Sequence, residues 1–504
     1  MNDQSTPPEP YTIYDRRQKA LIVFVVTFAA SSSLLASNIY FPAINAIATD
    51  LNVSVELVNL SITAYLLFQG LAPSLWGPIS DVQGRRTAYA CTLLVLVGAC
   101  IGLARTNNYA SLVILRCLQS TGSASTVAIG SGVIGDITIR DDRGGYMGYF
   151  QGGMLIPIAV APVIGGLLDG FLGWKSIFWF LVVYSGVLFL LVIILLPETN
   201  RSIVGNGTRR IGIADGNDKG KGRSFRQGFL KYPLGVYQRF STVSWDSNRP
   251  SPQLAPRKKI DFLGPIRMLT RKDIFPVVFF FAVYFAVWQM SVTAICALFQ
   301  DRYNLTEIQT GLTFIANGVG STIGTLITGK LLDKDYQQVQ VQFQEKLQVG
   351  TTSSTGIHDK PTLECSKHPD FPLEKARLRL CPIFAILQCL SILLFAWSIQ
   401  YSDNVHIAVP IVSTFITGWT SVSTQSIVTT YLVDIYPDNS AAATASLNLA
   451  RCGFAAGGTS FIMPLVGGVG VGVAFTICAA VQGIALIGLF VQWRFAGRWR
   501  MKKG

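Results

Sequence analysis

Apolar residues along this 504-residue chain gather into twelve runs of roughly 18–29 residues, each long enough to cross about 30 Å of hydrocarbon as an α-helix. The runs begin near Ala20, Leu57, Thr87, Tyr109, Gly145 and Ile177, and resume near Ile274, Thr310, Leu380, Val405, Ala441 and Val469. The third is short, and Pro157 and Pro162 interrupt the fifth. The pattern predicts an all-α polytopic membrane protein of twelve transmembrane helices in two six-helix blocks. Its expected organisation is a tail over 1–19, a first bundle over 20–196, a basic linker over 197–273, a second bundle over 274–493 and a tail over 494–504. A surface helix is expected near Phe262–Leu269, and a second long polar loop near Asp335–Lys375.

Half the residues are hydrophobic and 14% are charged, well below the charged share of soluble proteins. The net charge of +13 could suggest nucleic acid, but its placement argues against that partner. Arg105, Lys175 and Arg302 fall opposite the N-terminus, Arg116 and Arg451 lie inside apolar runs, and every other lysine and arginine falls on the N-terminal side. That asymmetry predicts cytoplasmic termini and a cytoplasmic linker. The acidic turn with Asp434 and Asp438 adds nothing to it. The N-terminus shows no cleavable leader pattern, so the first span is expected to serve as the insertion signal. Most cysteines fall within spans, and His358, His368 and His406 form no ligand set, so no disulfide framework, metal or cofactor is expected. No phosphate-binding loop of the Walker type and no nucleophile–base set is present, which argues against ATP drive and against an enzyme. The sequons at Asn52 and Asn304 fall in very short connections.

The most informative short stretch is GPISDVQGRR, Gly77–Arg86, a tight polar hinge between the second and third runs. Asp81 ends one helix, Gly84 lets the chain reverse, and Arg85 and Arg86 can meet helix carbonyls, acids or lipid phosphates. After the eighth run the chain reads GKLLDKDY, which repeats Gly-x-x-x-Asp at Gly329 and Asp333 without the Gly-Arg-Arg tail. Half the motif in the corresponding slot points to duplicated halves.

With these residues in view the chain strongly resembles the major facilitator superfamily, and within it the fungal twelve-span drug:proton antiporters of the quinidine-resistance type. GPISDVQGRR resembles the superfamily's loop signature between its second and third helices. ILRCLQSTGSA, with Arg116, and APVIGG, with Pro162, Gly165 and Gly166, resemble the antiporter signatures of helices four and five. LPETNRSIVGNG and SLNLARC, with Asn448 and Arg451, resemble fungal subgroup markers. Two positions depart from the family pattern: Val82 stands where a basic residue is common, and Ala161 replaces the glycine before the helix-five proline.

The resemblance implies roles. Gly77, Asp81, Gly84, Arg85, Arg86 and Asp136 would form a conformational latch, with Asp81 capping the start of helix eleven near Ser440–Ala443. Helices five and eight, and two and eleven, would pack across the interface of the halves, where Gly148/Gly152, Gly320/Gly324 and Gly453/Gly457 supply small-residue spacing. Candidate cavity residues on helices one, four, seven and ten are Asn38, Tyr284, Trp288, Gln289, Trp419 and Gln425, each of which could equally be a packing residue.

An arginine inside a span costs on the order of 2.5–3.5 kcal/mol at the membrane centre, so Arg116 needs a polar cavity or partner. It reads either as a cationic post for substrate or proton exchange, with Gln119 beside it, or as a hydrogen-bond hub between helices. No acid lies mid-span; Asp136, or Asp50 or Asp169 at the outer mouth, could carry a proton. The expected function is export of small amphipathic organic compounds by alternating access with proton antiport. An exporter of an endogenous organic acid or secondary metabolite, and a non-transporting sensor, are the alternatives. The expected partners are the lipid bilayer, a small organic substrate and protons, with a monomer in the plasma membrane, or else the vacuolar membrane.

Overall fold

The computed structural model describes residues 12–138, 140–205, 264–351, 373–436 and 440–501, of which 140–144, 333, 346–351, 440–441 and 496–501 are described by backbone alone. Most of the expected linker, residues 352–372 of the second polar loop, His358, His368, Asp438 and the side chain of Asp333 lie outside the described residues; residues 335–351, expected to begin that loop, instead continue span eight as helix.

The described residues are almost entirely helical. Span one is Arg16–Asn38, extended through a 3-10 turn by Ile44–Asp50; spans two to six are Val55–Gln83, Arg85–Ala104, Tyr109–Ile137, Arg140–Leu172 and Lys175–Leu195. Spans seven to twelve are Phe275–Tyr303, Glu307–Thr351, Cys381–Gln400, Ala408–Ile435, Ser440–Val469 and Val471–Met501. Ten of these are long and apolar enough to cross a membrane. Spans eight and ten complete the twelve as more polar helices. In span ten the polarity is absorbed locally: Thr417, Thr420 and Thr424 return their hydroxyls to carbonyls one turn back, so the helix needs no water for them. Twelve crossings return the chain to the face it began on, here called the terminal face; the opposite one is the far face.

Local sequence sets the ends. Asn108 starts span four by accepting a hydrogen bond from Ala110 N–H on its Oδ1 at 2.9 Å. Thr306 and Gln309 start span eight as a capping box, each side chain meeting the other's backbone N–H. Asn52 and Asn304 are helix terminators, at φ 49° and φ 52°, a left-handed conformation that asparagine tolerates better than most residues. The expected surface helix is present as Gly264–Leu269, with Pro265 and Met268 buried as it packs on span eleven.

The chain divides into two compact units. The first holds Met1–Asn38, Leu71–Pro157 and Lys175–Phe262. In it span four packs on spans one and three, and span six on span three. The closest approach is at Gly122, where a Cβ would stand 2.7 Å from both Leu96 N and Thr92 O. The second unit holds the six later spans together with Ile39–Gly70 and Ile158–Trp174, the far-face parts of spans one, two and five. Gly122→Val should therefore force spans three and four apart at the cost of overpacking, about 1–3 kcal/mol. A fall in the melting temperature of the detergent-solubilised protein, with Ser123→Val changing it less, is the expected result.

Candidate functional site

The hinge is held by a segment from the other end of the first bundle. Gly84 adopts φ +107°, and a Cβ there would collide with the Glu198 carboxylate, so glycine is required twice over. Glu198 lies in the run after span six, is 7% exposed, and accepts four backbone N–H groups. Its Oε1 takes those of Arg85 (2.8 Å), Thr199 (3.1 Å) and Asn200 (3.0 Å), and its Oε2 takes that of Arg86 (3.2 Å). A carboxylate at the first amides of span three satisfies donors that no intrahelical carbonyl can reach and meets the positive end of the helix dipole. Burial pushes the Glu198 carboxyl above the ordinary range, and the N–H donors of Asn200, Arg85 and Arg86 act against that shift. Asn200 clamps the other side, donating Nδ2 to Ser80 O at 3.1 Å and Asp81 O at 2.7 Å at the end of span two. One tripeptide, Glu198-Thr199-Asn200, thus caps both helices of the hinge.

Inside this frame Arg85 gathers the acids. Its Nη1 lies 2.6 Å from Asp81 Oδ1 and from Ser80 Oγ, and its Nε 3.0 Å from Asp136 Oδ2 at the end of span four. Arg86 turns the other way and donates Nη2 to Ile193 O at 2.6 Å. Gly77 faces open space, with no heavy atom within reach of a Cβ. The second half repeats the central pair. Arg377, just before span nine, lies 2.7 Å from Asp434 at the end of span ten, as Arg85 before span three lies beside Asp136 at the end of span four. The duplication read from Gly329 and Asp333 is carried more fully by this ion pair than by the motif.

On the far face, within the second unit, span five meets span eight almost backbone to backbone. A Cβ on Gly166 would stand 2.6 Å from Glu307 O, and one on Gly311 would stand 2.6 Å from Pro162 O. Gly318 presses on Ala159, and Gly165 on Ile39 O. The APVIGG stretch is therefore one wall of a close-packed seam. Beside it span two meets span eleven: Gly70 lies against Cys452, Thr63 and Thr459 share a hydroxyl hydrogen bond of 3.2 Å, and Asn448 Nδ2 donates to Gln69 O at 3.1 Å. The pairings five–eight and two–eleven stand as expected, but different glycines make them. Gly148, Gly152, Gly453 and Gly457 have nothing within reach of a Cβ, and Gly320 and Gly324 pack on span ten at Phe415 and Trp419.

Each bundle holds an arginine anchored by an amide oxygen one turn away. Arg116 is 1% exposed; its Nη1 donates to Gln119 Oε1 at 2.6 Å and to Ala36 O of span one at 3.4 Å, and Gln119 in turn donates to Cys100 Sγ of span three at 3.4 Å. In this conformation Arg116 is a buried link between helices. Arg451 donates Nε and Nη2 to Asn448 Oδ1 at 2.9 and 2.7 Å, and its guanidinium lies 4.7 Å over the Phe285 ring. Phe285 stands edge-on to Trp288, whose Nε1 donates to Asn317 Oδ1 of span eight at 3.3 Å. This line of cation, aromatic walls and amide joins spans seven, eight and eleven. Sequence reasoning named Trp288, Asn448 and Arg451 but missed Phe285 and Asn317; a phenylalanine three residues from a tryptophan in an apolar run carries no distinguishing signal.

The other cavity candidates are not brought together. Asn38 donates to its own helix at Leu34 O. Gln289 is 8% exposed and Gln425 half-buried. Trp419 packs on Gly324, edge-on to Phe415. Tyr284 points away from that line: its hydroxyl meets Cys389 Sγ at 3.4 Å, and it lines an apolar crevice of about 400 Å³ with Leu390, Leu393 and Gly483 from spans nine and twelve.

Twelve long helices, a capped and charged hinge in the first unit, glycine seams in the second and an arginine held within the helices of each half describe a polytopic membrane protein. The chain belongs to the Major Facilitator Superfamily, whose family model matches residues 26–350. It is 34% identical to citrate exporter 1 of Aspergillus niger, over 99% of this chain and 90% of that protein. It is 31% identical to quinidine resistance protein 1 of Saccharomyces cerevisiae, over 95% and 84%. The Escherichia coli xylose transporter XylE, in a partially occluded inward-open conformation, shares the fold at a TM-score of 0.61 and 12% identity, over 95% of this chain and 98% of that one. The resemblance to the quinidine-resistance branch is borne out, and the protein is a secondary transporter rather than an enzyme.

Glu198→Ala should remove the caps of span three and lower stability by about 1–2 kcal/mol. Faster hydrogen exchange at the amides of Arg85 and Arg86 should accompany it, with Glu198→Gln intermediate because one acceptor oxygen remains.

Proposed function

We propose that this protein exports small amphipathic organic compounds by alternating access, driven by proton antiport. The observation that carries the reading is the Arg451–Phe285–Trp288–Asn317 line, which is largely buried in this conformation and would offer a cation, aromatic faces and one directed amide when the cavity opens. Such a surface suits amphipathic molecules better than polyhydroxylated ones, which need many directed hydrogen bonds. The placement of lysines and arginines supports a cytoplasmic terminal face, and the plasma membrane is the membrane that export requires. The Asp81–Arg85–Asp136 cluster is the terminal-face latch in this reading, with Asp81 exchanging Arg85 for the start of span eleven when that face closes. Substrate would enter from the cytoplasm, and the far-face seams would open to release it.

A second reading, export of an organic acid, is favoured by one feature. Arg451 has no carboxylate partner among the described residues, so a substrate carboxylate could take the place that Asn448 fills. The citrate exporter among its relatives points the same way.

Reconstitution into liposomes with an imposed pH gradient, using citrate and a cationic amphiphile in parallel, separates these readings. Arg451→Ala should raise the KM for the transported anion about 10- to 100-fold, the loss of one charge-assisted hydrogen bond, and leave a cationic substrate nearly unaffected. Transport that equilibrates regardless of the gradient would make the protein a facilitator. For Arg116→Ala, loss of transport with normal membrane insertion is expected; unchanged transport would remove Arg116 from the mechanism.

A further inference from the structure

The far-face seam contains a polar group that the packing does not explain. Asp169, in the last turn of span five, is 8% exposed, and its Oδ2 is buried with no hydrogen-bond partner. No lysine or arginine pairs with it among the described residues. The residue that packs beside it is another acid, Glu307 in the first turn of span eight. Close contacts flank the two: Gly166, one turn before Asp169, lies against the Glu307 carbonyl, and Gly170 against the Ile308 side chain. Other charged groups at this end are already engaged. Asp50, on the extension of span one, accepts the Trp174 indole N–H at 3.0 Å; Arg302 pairs with Asp301 at 3.5 Å; Lys175 donates to Asn107 at 2.6 Å. Deeper in the same seam, Thr310 Oγ1 is also buried without a partner.

A buried carboxylate oxygen with neither hydrogen bond nor counter-ion is costly when charged, and more so beside a second, half-buried acid, unless one of the two is neutral. The helix ends decide which. Glu307 lies at the positive end of span eight, where a negative charge is stabilised, and Asp169 at the negative end of span five, where it is not. We propose that Asp169, opposed by Glu307, is a proton-binding site in the far-face seam, occupied while the seam is closed and emptied when it opens to water. The site rests on the alternating-access reading given above and adds a step to it. With the far face outside, external acid loads Asp169 and lets the seam close, returning the empty transporter to the state that accepts substrate. A proton bound there leaves again to the same side, so the site times the cycle and does not itself carry the coupling proton.

The linkage has a definite sign. The closed seam binds one more proton than the open one, so lowering pH favours closure by up to about tenfold per pH unit. The test uses the full-length chain in nanodiscs, with spin labels at Phe171→Cys and Leu312→Cys in a Cys91→Ser background, and reads the distance between spans five and eight from pH 8 to pH 5. The short-distance population should grow as pH falls. Asp169→Asn should hold the seam closed at every pH, Glu307→Gln should flatten the response, and Asp169→Glu should keep it. An Asp169→Asn protein that retains the wild-type pH response would overturn the site. Gradient-driven export in liposomes is measured in parallel. Intact coupling with a pH-insensitive seam overturns the site and spares the antiport reading; a titrating seam without coupling supports the site and sinks antiport.

Discussion

Two helix backbones can touch only where no side chain stands between them, and the far-face half of this transporter is organised around that constraint. Gly166, Gly311 and Gly318 bring spans five and eight together so closely that a single added methyl on any of them would meet backbone atoms of the other helix. Dispersion contacts at this range are individually small but numerous, and in a bilayer they drive helix association because lipid tails provide no hydrophobic contrast. A surface of this kind separates without leaving unpaired charges behind. It is therefore suited to repeated opening, and it leaves Pro162, in the middle of the contact, with a carbonyl that packs on a glycine.

The terminal face uses opposite chemistry. The hinge between spans two and three is a knot of charge-assisted hydrogen bonds, closed from beneath by Glu198 and Asn200. Every polar group in it has a second use: Glu198 caps a helix while excluding any side chain at position 84, and Arg85 answers both Asp81 and Asp136. A rigid hinge of this sort lets the two helices move as one body. The Arg–Asp pair recurs in the second half at Arg377 and Asp434, without the Gly-Arg-Arg turn beside it.

The fold was legible in the sequence to a high degree, because a span must be apolar over a fixed length and nothing else in the chain has that property. Spans eight and ten were found as runs even though their hydroxyls lower their hydropathy; those hydroxyls bond to their own helices and so do not oppose burial. The hinge residues were legible as well, through a motif whose spacing is tied to a turn. The glycine spacing misled. Gly148/Gly152 and Gly453/Gly457 have the small-xxx-small pattern without a partner, since the pattern states what a helix permits and not which neighbour is present. The five–eight seam instead uses Gly166 and Gly170 of span five, a pair with the same spacing, and Gly311 and Gly318 of span eight, seven residues apart. Phe285, Asn317 and Glu198 were missed for a related reason: each owes its place to a residue more than 25 positions away in sequence or on another helix.

The two intramembrane arginines show how a buried cation can be kept available. Were Arg451 paired with a carboxylate, a substrate would have to displace a buried ion pair, and breaking such a pair strands a charge at a cost of several kcal/mol. Asn448 offers a neutral oxygen instead, worth on the order of 1.5–3 kcal/mol to a charged donor, and the Phe285 face adds a contact that survives a small rotation of the guanidinium. An arriving anionic or hydrogen-bond-accepting group then has a modest competitor to replace. Asn448 also donates to Gln69 O across the two–eleven seam, so one side chain joins Arg451 to the backbone of span two. On the alternating-access reading proposed above, ligand and gate would be one hydrogen bond apart, a short route by which occupancy of the cavity could bias which face is open.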